Sequence, residues 1–253
     1  METIPSEAAC FPAKLTHGHI QDLIERKVDA IFLPQELYGR IVSKQAVEHY
    51  RCAMLSTYGA MINNSFDFDK LGIKYFTPAL PVYADEVCSQ RFGDKVHTFW
   101  PDIKEKDAQS AYLEGCKAYN EWRDEVKKKG EETIAESRRR HQPIAVLAAY
   151  PYQYDGMHCG AITPMLLQEG YNVITADSIA HLGTDIIKPY QILNMHSTDS
   201  RIMDAAKYAA NQEDFIFIYL SSFGCGVTPA CNEQCQAFLR NMGRMYANIK
   251  IDQ

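Results

Sequence analysis

The chain has 253 residues, 46% of them apolar and 23% charged, with a formal net charge of −6. That length suits one large domain or two of ordinary size, and the apolar content is that of a folded chain, not a disordered or collagen-like one. The acidic balance gives nucleic acid or an anionic membrane no reason to bind. No apolar run approaches the roughly 20 residues that span a bilayer, and METIPSEAAC has neither the basic region nor the apolar core of a signal peptide. The expected location is the cytoplasm. There, eight cysteines, at 10, 52, 88, 116, 159, 225, 231 and 235, point to metal ligands or catalytic thiols ahead of a disulfide framework. None forms a CxxC pair, which argues against a zinc ribbon, a thioredoxin motif or a bacterial ferredoxin run.

In chain order, residues 3–12 read as a loop, with Pro12 at the first turn of a helix that runs to about Arg26. His17 and His19 on that helix are two apart and face different sides. They read first as packing residues, and a zinc site built from cysteine plus one of them is the minor alternative. Val28–Leu33 reads as a buried strand stopped by Pro34. Gln35–Tyr50 is polar and mixed, a loop with a short helix. Cys52–Leu55 is a short strand candidate, Ser56–Asn63 a helix candidate, and Gly72–Thr77 a further strand closed by Pro78 and Pro81. From Asp102 to Arg140, apolar or small residues recur at steps of three and four. This predicts one long amphipathic helix with Gly115 and Gly130 as its weak points.

Beyond that helix, Pro143–Ala149, Asn172–Thr175, Phe215–Leu220 and Ala247–Ile251 read as strands. They alternate with helices over Cys159–Glu169, Thr198–Asn211 and Pro229–Met242. The predicted fold is therefore α/β, two Rossmann-like or flavodoxin-like α/β/α lobes with mostly parallel sheets, separated by a long helix. The expected boundaries are 1–101, 102–140 and 141–253. Asp214–Cys235, DFIFIYLSSFGCGVTPACNEQC, is the most informative stretch. A buried strand ends in Cys225, bracketed by Gly224 and Gly226, and a helix opens near Pro229. Glycines on both sides suit a tight turn with φ > 0, and the carboxyl end of a strand is where open α/β sheets build sites. The chain shows no GxGxxG and no GxxxxGK[ST], so no nucleotide is expected on it, and it also lacks a GxSxG elbow and an HExxH.

ETIPSEAACFPAKLTHGHIQDLI, NSFDFDKLGIKYFTPALP, ITADSIAHLG and SSFGCGV resemble the uncharacterised domain of acyl-CoA dehydratase activase-like proteins, from about residue 2 to residue 252. That domain is similar to the iron–sulfur subunits of 2-hydroxyacyl-CoA dehydratases. The resemblance implies a two-lobed protein that binds an iron–sulfur cluster, 4Fe–4S or a related type. Cys10 matches the cysteine of the first motif, Cys225 that of FGCG, and Cys52 a cysteine that follows a similar His-Tyr. His17, His19, Gly224 and Gly226 would then line the cluster's surroundings. Thiolates are soft ligands suited to such a group.

The implied role is single-electron transfer linked to CoA-thioester chemistry, within a dehydratase (a lyase) or an ATP-dependent activase system. The implied partners are an activase ATPase domain, a dehydratase subunit, a CoA thioester or a second copy of the chain. Relatives carry further segments before the first motif, so the chain is expected to be a piece of a larger protein and not an ATPase by itself. It departs from the family pattern in three places. Gln35 stands where a cysteine is common, Thr228 where aspartate follows FGCGV, and Tyr150-Pro151-Tyr152 where Arg-Pro-Tyr is frequent. Gln35 motivates the alternative reading of a cluster-free scaffold or docking domain. Cys231 and Cys235 are substitutes for the missing thiol on one reading and ordinary helix positions on the other.

Overall fold

A computed structural model describes residues 3–156, 160–222 and 224–251. The named strands pair only in parallel, and two compact units divide the chain. One comprises Met1–Arg40 and His49–Asn120, the other Ile41–Glu48 and Glu121–Gln253.

In the first unit, α1 (Phe11–Glu25) starts on Pro12 and buries Ala13, His17 and Ile20. Strand β1 (Ala30–Phe32) follows, then β2 (Gln35–Tyr38). Gln35–Tyr38 was expected to be loop or helix. Its extended conformation is imposed from outside, by parallel pairing with β4 (Ala79–Pro81). β1 pairs with β3 (Lys74–Phe76). Leu33 N–H donates to the Phe76 carbonyl and Gln35 N–H to that of Pro78, both at 2.9 Å. The ladder thus runs past Pro34, which has no N–H to offer.

Cys52–Leu55 is not a strand. Cys52 is the N-cap of α2 (Ala53–Ser65), its sulfur accepting from Leu55 N–H at 3.4 Å. Four apolar residues fit a buried helix turn as well as a strand, and Tyr58 and Ile62, one and two turns on, carry the apolar stripe into the core. The short α3 (Phe68–Leu71) completes a cluster with Ile31 and Ile73 on this face of the ladder. On the other, Phe76 packs with Val96 of α4 (Asp85–Phe99) and Ala108 of α5 (Glu105–Arg139). Helix α5 is unbroken over 35 residues, and the unit boundary falls inside it. Gly115 and Gly130 do not interrupt it. At Gly130 an added Cβ would lie 2.6 Å from the Ser178 carbonyl, so the small residue serves packing.

The second unit is a four-stranded parallel sheet of order β6-β5-β7-β8, with β5 (Ile144–Ala148), β6 (Asn172–Thr175), β7 (Phe215–Ser221) and β8 (Tyr246–Lys250). A 3-10 turn (Pro151–Tyr154) and α6 (Ile162–Gln168) connect β5 to β6. α7 (Ala176–Gly183) and α8 (Ser197–Ala210) connect β6 to β7, and α9 (Thr228–Arg240) connects β7 to β8. Helix α7 was not anticipated. The expected helix start at Cys159 lies outside the described residues.

Central β5 is buried along its whole length, as parallel strands covered on both faces must be. Ile144, Val146 and Ala148 join α7, α8 and α9 in one core cluster, while Ala145, Leu147 and Ala149 pack against Leu166 of α6 in another. Helices therefore cover both faces of this sheet.

Residues 41–48 belong to this second unit although their neighbours in sequence belong to the first. Ser43 Oγ donates to Asp204 at 3.1 Å, Gln45 Nε2 to the Ile186 carbonyl at 2.7 Å, and Val47 N–H to the Asn194 carbonyl at 2.8 Å. Asp204 also pairs with Lys207 at 2.6 Å, and both side chains are wholly buried. Removing one partner of such a pair strands the other charge in the core.

Packing of α7 on α8 allows a direct test. A Cβ at Gly183 would sit 1.8 Å from the Asp204 backbone oxygen, whereas one at Gly18 in α1 meets nothing within 4 Å. Gly183→Ala is expected to destabilise the protein by about 3 kcal/mol, through overpacking. Gly18→Ala is expected to stabilise it by about 0.5–1 kcal/mol, through helix propensity. Urea unfolding midpoints of the two variants, moving in opposite directions, check this.

Candidate functional site

The three cysteines singled out in the sequence share a local setting. Cys10 is the N-cap of α1, Cys52 the N-cap of α2, and Cys225 lies in the loop between β7 and α9. All three are of intermediate exposure. Helix N-termini favour negative charge. Cys10 and Cys52 lie in the first unit and Cys225 in the second. Among the described residues, no group of three His, Cys, Asp or Glu side chains is arranged to hold a metal ion.

The other sequence candidates separate clearly. His17 is buried against Tyr58 and Phe66, at ring-centroid distances of 5.5 and 5.9 Å, with Nδ1 3.2 Å from Thr3 Oγ1. Burial holds its pKa below the ordinary value, the setting of a packing histidine. His19 is exposed. Cys231 and Cys235 are fully buried in the core cluster on α9, and burial pushes the Cys231 thiol well up. Cys225 does sit on a turn, its N–H donating to the Ser222 carbonyl at 3.3 Å. Gly226, however, does not take the left-handed conformation expected of it.

Around Cys225 the fold builds a site that the sequence did not reveal. From β5 the chain passes to β6 on one side, and from β6 it returns to β7 on the other. The order of connection therefore reverses between β5 and β7, and the carboxyl ends of two such strands border a crevice. Tyr150 follows β5, Cys225 follows β7, Asp177 opens α7, and Asp199 and Arg201 lie in the first turns of α8.

Tyr150 Oη donates to Asp199 Oδ1 at 2.6 Å, and His196 Nδ1 lies 3.9 Å from Asp199 Oδ2. Cys231 Sγ approaches the Asp199 carbonyl at 3.9 Å, joining the first turns of α8 and α9. Arg201 Nη1 meets Asp177 Oδ1 at 2.5 Å. Burial raises the Asp199 carboxyl to about 6, against the opposing hydrogen bond from Tyr150 and the charge of Arg201. It also raises Asp177 and lowers His196. Tyr150 is pushed far up by burial and by the neighbouring Asp199, with Cys225 and Cys231 adding to the effect. A buried carboxyl raised to about 6 at the strand ends, hydrogen-bonded to a partly buried phenol, is a group suited to moving a proton.

The family model described as the CoA enzyme activase uncharacterised domain matches residues 1–179. The chain belongs to that family. No curated protein and no solved structure matches it. The match to the CoA enzyme activase domain takes in Cys10, Cys52, Tyr150 and Asp177. It ends before Asp199, Arg201 and Cys225. No helix of the described residues is long and apolar enough to cross a membrane.

One signal for this site was present in the chain. Tyr150 and Asp177 each stand within two residues of the end of a predicted strand, where an α/β sheet places its functional loops. Asp199 and Arg201 carried no such mark, because nothing local tells which helix start faces the crevice.

The Asp199 carboxyl gives a pH test. Its folded value of about 6 lies above the ordinary aspartate value of 3.8, so the folded state keeps a proton that the unfolded chain has released. Its contribution to stability is complete below the unfolded value and lost as pH rises through about 6. The span corresponds to roughly 3 kcal/mol. Asp199→Asn is expected to remove much of the stability decline between about pH 4 and 6, and Tyr150→Phe, which removes a hydrogen bond that lowers the folded value, to extend the decline above pH 6. Urea unfolding free energies across that range check both.

Proposed function

We propose that this chain is the thiol-bearing domain of a CoA enzyme activase system, and that it takes an iron–sulfur cluster on Cys10, Cys52 and Cys225. The observation that carries this reading is that all three thiols are partly exposed and set at or just before helix N-termini. A bound cluster would supply one-electron chemistry, whose potential depends on hydrogen bonding and exposure. The chain's own part is to present the thiolates, to shield them with the surrounding helices, and to keep Tyr150 and Asp199 beside Cys225. Family membership supports the system; the substrate side of the proposal is a CoA thioester, with an activase ATPase domain or dehydratase subunit as partner.

One observation favours a second reading, a cluster-free docking domain. No three ligating side chains come together among the described residues, and Gln35 is engaged elsewhere, its Nε2 donating to the Thr77 carbonyl at 3.1 Å. Anaerobic reconstitution with iron and sulfide separates the two. The cluster reading expects iron and labile sulfide to be retained on desalting, with absorbance near 400 nm, and to be lost in Cys10→Ala and Cys225→Ala. Failure to retain iron, or retention equal in parent and variants, leaves the docking domain. Uptake of zinc in place of iron would return the cysteine–histidine site.

A further inference from the structure

The chain between α7 and α8 lies across one face of α9 and leaves a pocket there. Gln234, Ala237, Phe238 and Asn241 recur at steps of three and four, which sets them on one side of the helix. Lys188, Pro189 and Gln191 form the other wall, and the space between is about 100 Å³. All of these residues belong to the second unit. Phe238 is buried and held edge-on by Tyr190, at a ring-centroid distance of 5.7 Å. The two walls are tied at one point, where Gln191 N–H donates to Gln234 Oε1 at 2.6 Å.

That bond fixes the Gln234 amide. A backbone N–H can only donate, so the atom facing it is the carbonyl oxygen. The NH2 group is left without a partner among the described residues, on a side chain that lines the pocket. Lys188 likewise lacks a partner. It is partly buried, and burial pulls its pKa below the ordinary value with no carboxylate opposing the shift. No Asp or Glu lines the pocket. A cation taken partly out of water with nothing opposite it is costly, and an anion is its complement.

We infer that this pocket binds a short-chain monocarboxylate, with the carboxylate on the Lys188 ammonium and the Gln234 NH2 group and the hydrocarbon tail on Ala237 and Phe238. The inference goes beyond the thiol-based reading and does not depend on a cluster. Size and polarity select the class. A cavity of about 150 Å³ holds benzene, so the space here suits a ligand of roughly four or five heavy atoms, acetate or propionate. A phosphate would bring a second charge against a single cation and set its remaining oxygens on the apolar floor, where nothing donates to them. Helix α9 ends at Asn241, and a helix carboxyl end repels anions, which places the ligand's head toward Gln234.

Propionate is the probe, titrated into the full chain with chloride at equal ionic strength as control and with acetate and inorganic phosphate as comparators. Propionate should raise the thermal unfolding temperature in a saturable way, and the Gln234 side-chain NH2 resonances should move with it. Acetate, one methylene shorter, should bind up to about fourfold more weakly. Lys188→Met removes an unpaired charge and keeps an aliphatic stem, so ligand-free stability should not fall. Propionate binding should weaken at least about tenfold, the loss of a charge-assisted contact. Gln234→Glu keeps the acceptor for Gln191 N–H and replaces the donor by a carboxylate oxygen, and should abolish binding.

Absence of a saturable propionate effect on the parent overturns the inference, as does an equal effect in the parent and Lys188→Met. Phosphate binding as tightly as propionate overturns the choice of class. Acetate binding more tightly than propionate overturns the apolar floor. A fall in ligand-free stability on Lys188→Met assigns the ammonium to the fold and overturns its role in binding.

Discussion

The strand order β6-β5-β7-β8 is the constraint from which the second unit's chemistry follows. Because the connection out of β5 runs to one side and the connection into β7 arrives from the other, their loops part at the carboxyl edge. α6 covers one face of the sheet, while α7, α8 and α9 cover the opposite one. Each residue of β5 accordingly packs against the face its parity dictates. The same arrangement sets Tyr150, Asp177, Cys225 and the first turns of α8 around one edge. Had β7 been added beyond β6, these groups would not meet.

Burial then determines what the groups can do. Asp199 is buried and Tyr150 partly so, and the cost of charging them in a poor solvent is the largest influence on their titration. The hydrogen bond between them moderates that cost without removing it. Elsewhere in the unit burial is met differently. Asp204 and Lys207 pair inside the core, and Ser43 brings residues 41–48 to the same carboxylate.

The first unit shows a different use of local structure. Its ladder is short and interrupted at Pro34, and its stability rests on Phe76 and Ile31 facing helices on opposite sides. Cys10 and Cys52 are placed by the helices they cap. The sequence marked both as noteworthy through their motifs, but the capping role of Cys52 was masked by an apolar tetrapeptide compatible with either element. Gln35–Tyr38 was missed for a related reason, since its extended form depends on a partner more than 40 residues away.

What the chain determined by itself was periodicity and punctuation. The α/β class, the long helix α5, and the strands of the second unit were legible because a buried parallel strand is a short apolar run, and because an amphipathic helix repeats every three or four residues. Cys225 at a strand end was legible for the same reason. The tertiary structure alone decided the order of strands, the transfer of residues 41–48 to the second unit, and the meeting of Tyr150, Asp199 and Arg201. Those outcomes depend on contacts between residues far apart in the chain, and on burial, which shifts a carboxyl only once the surrounding helices have packed.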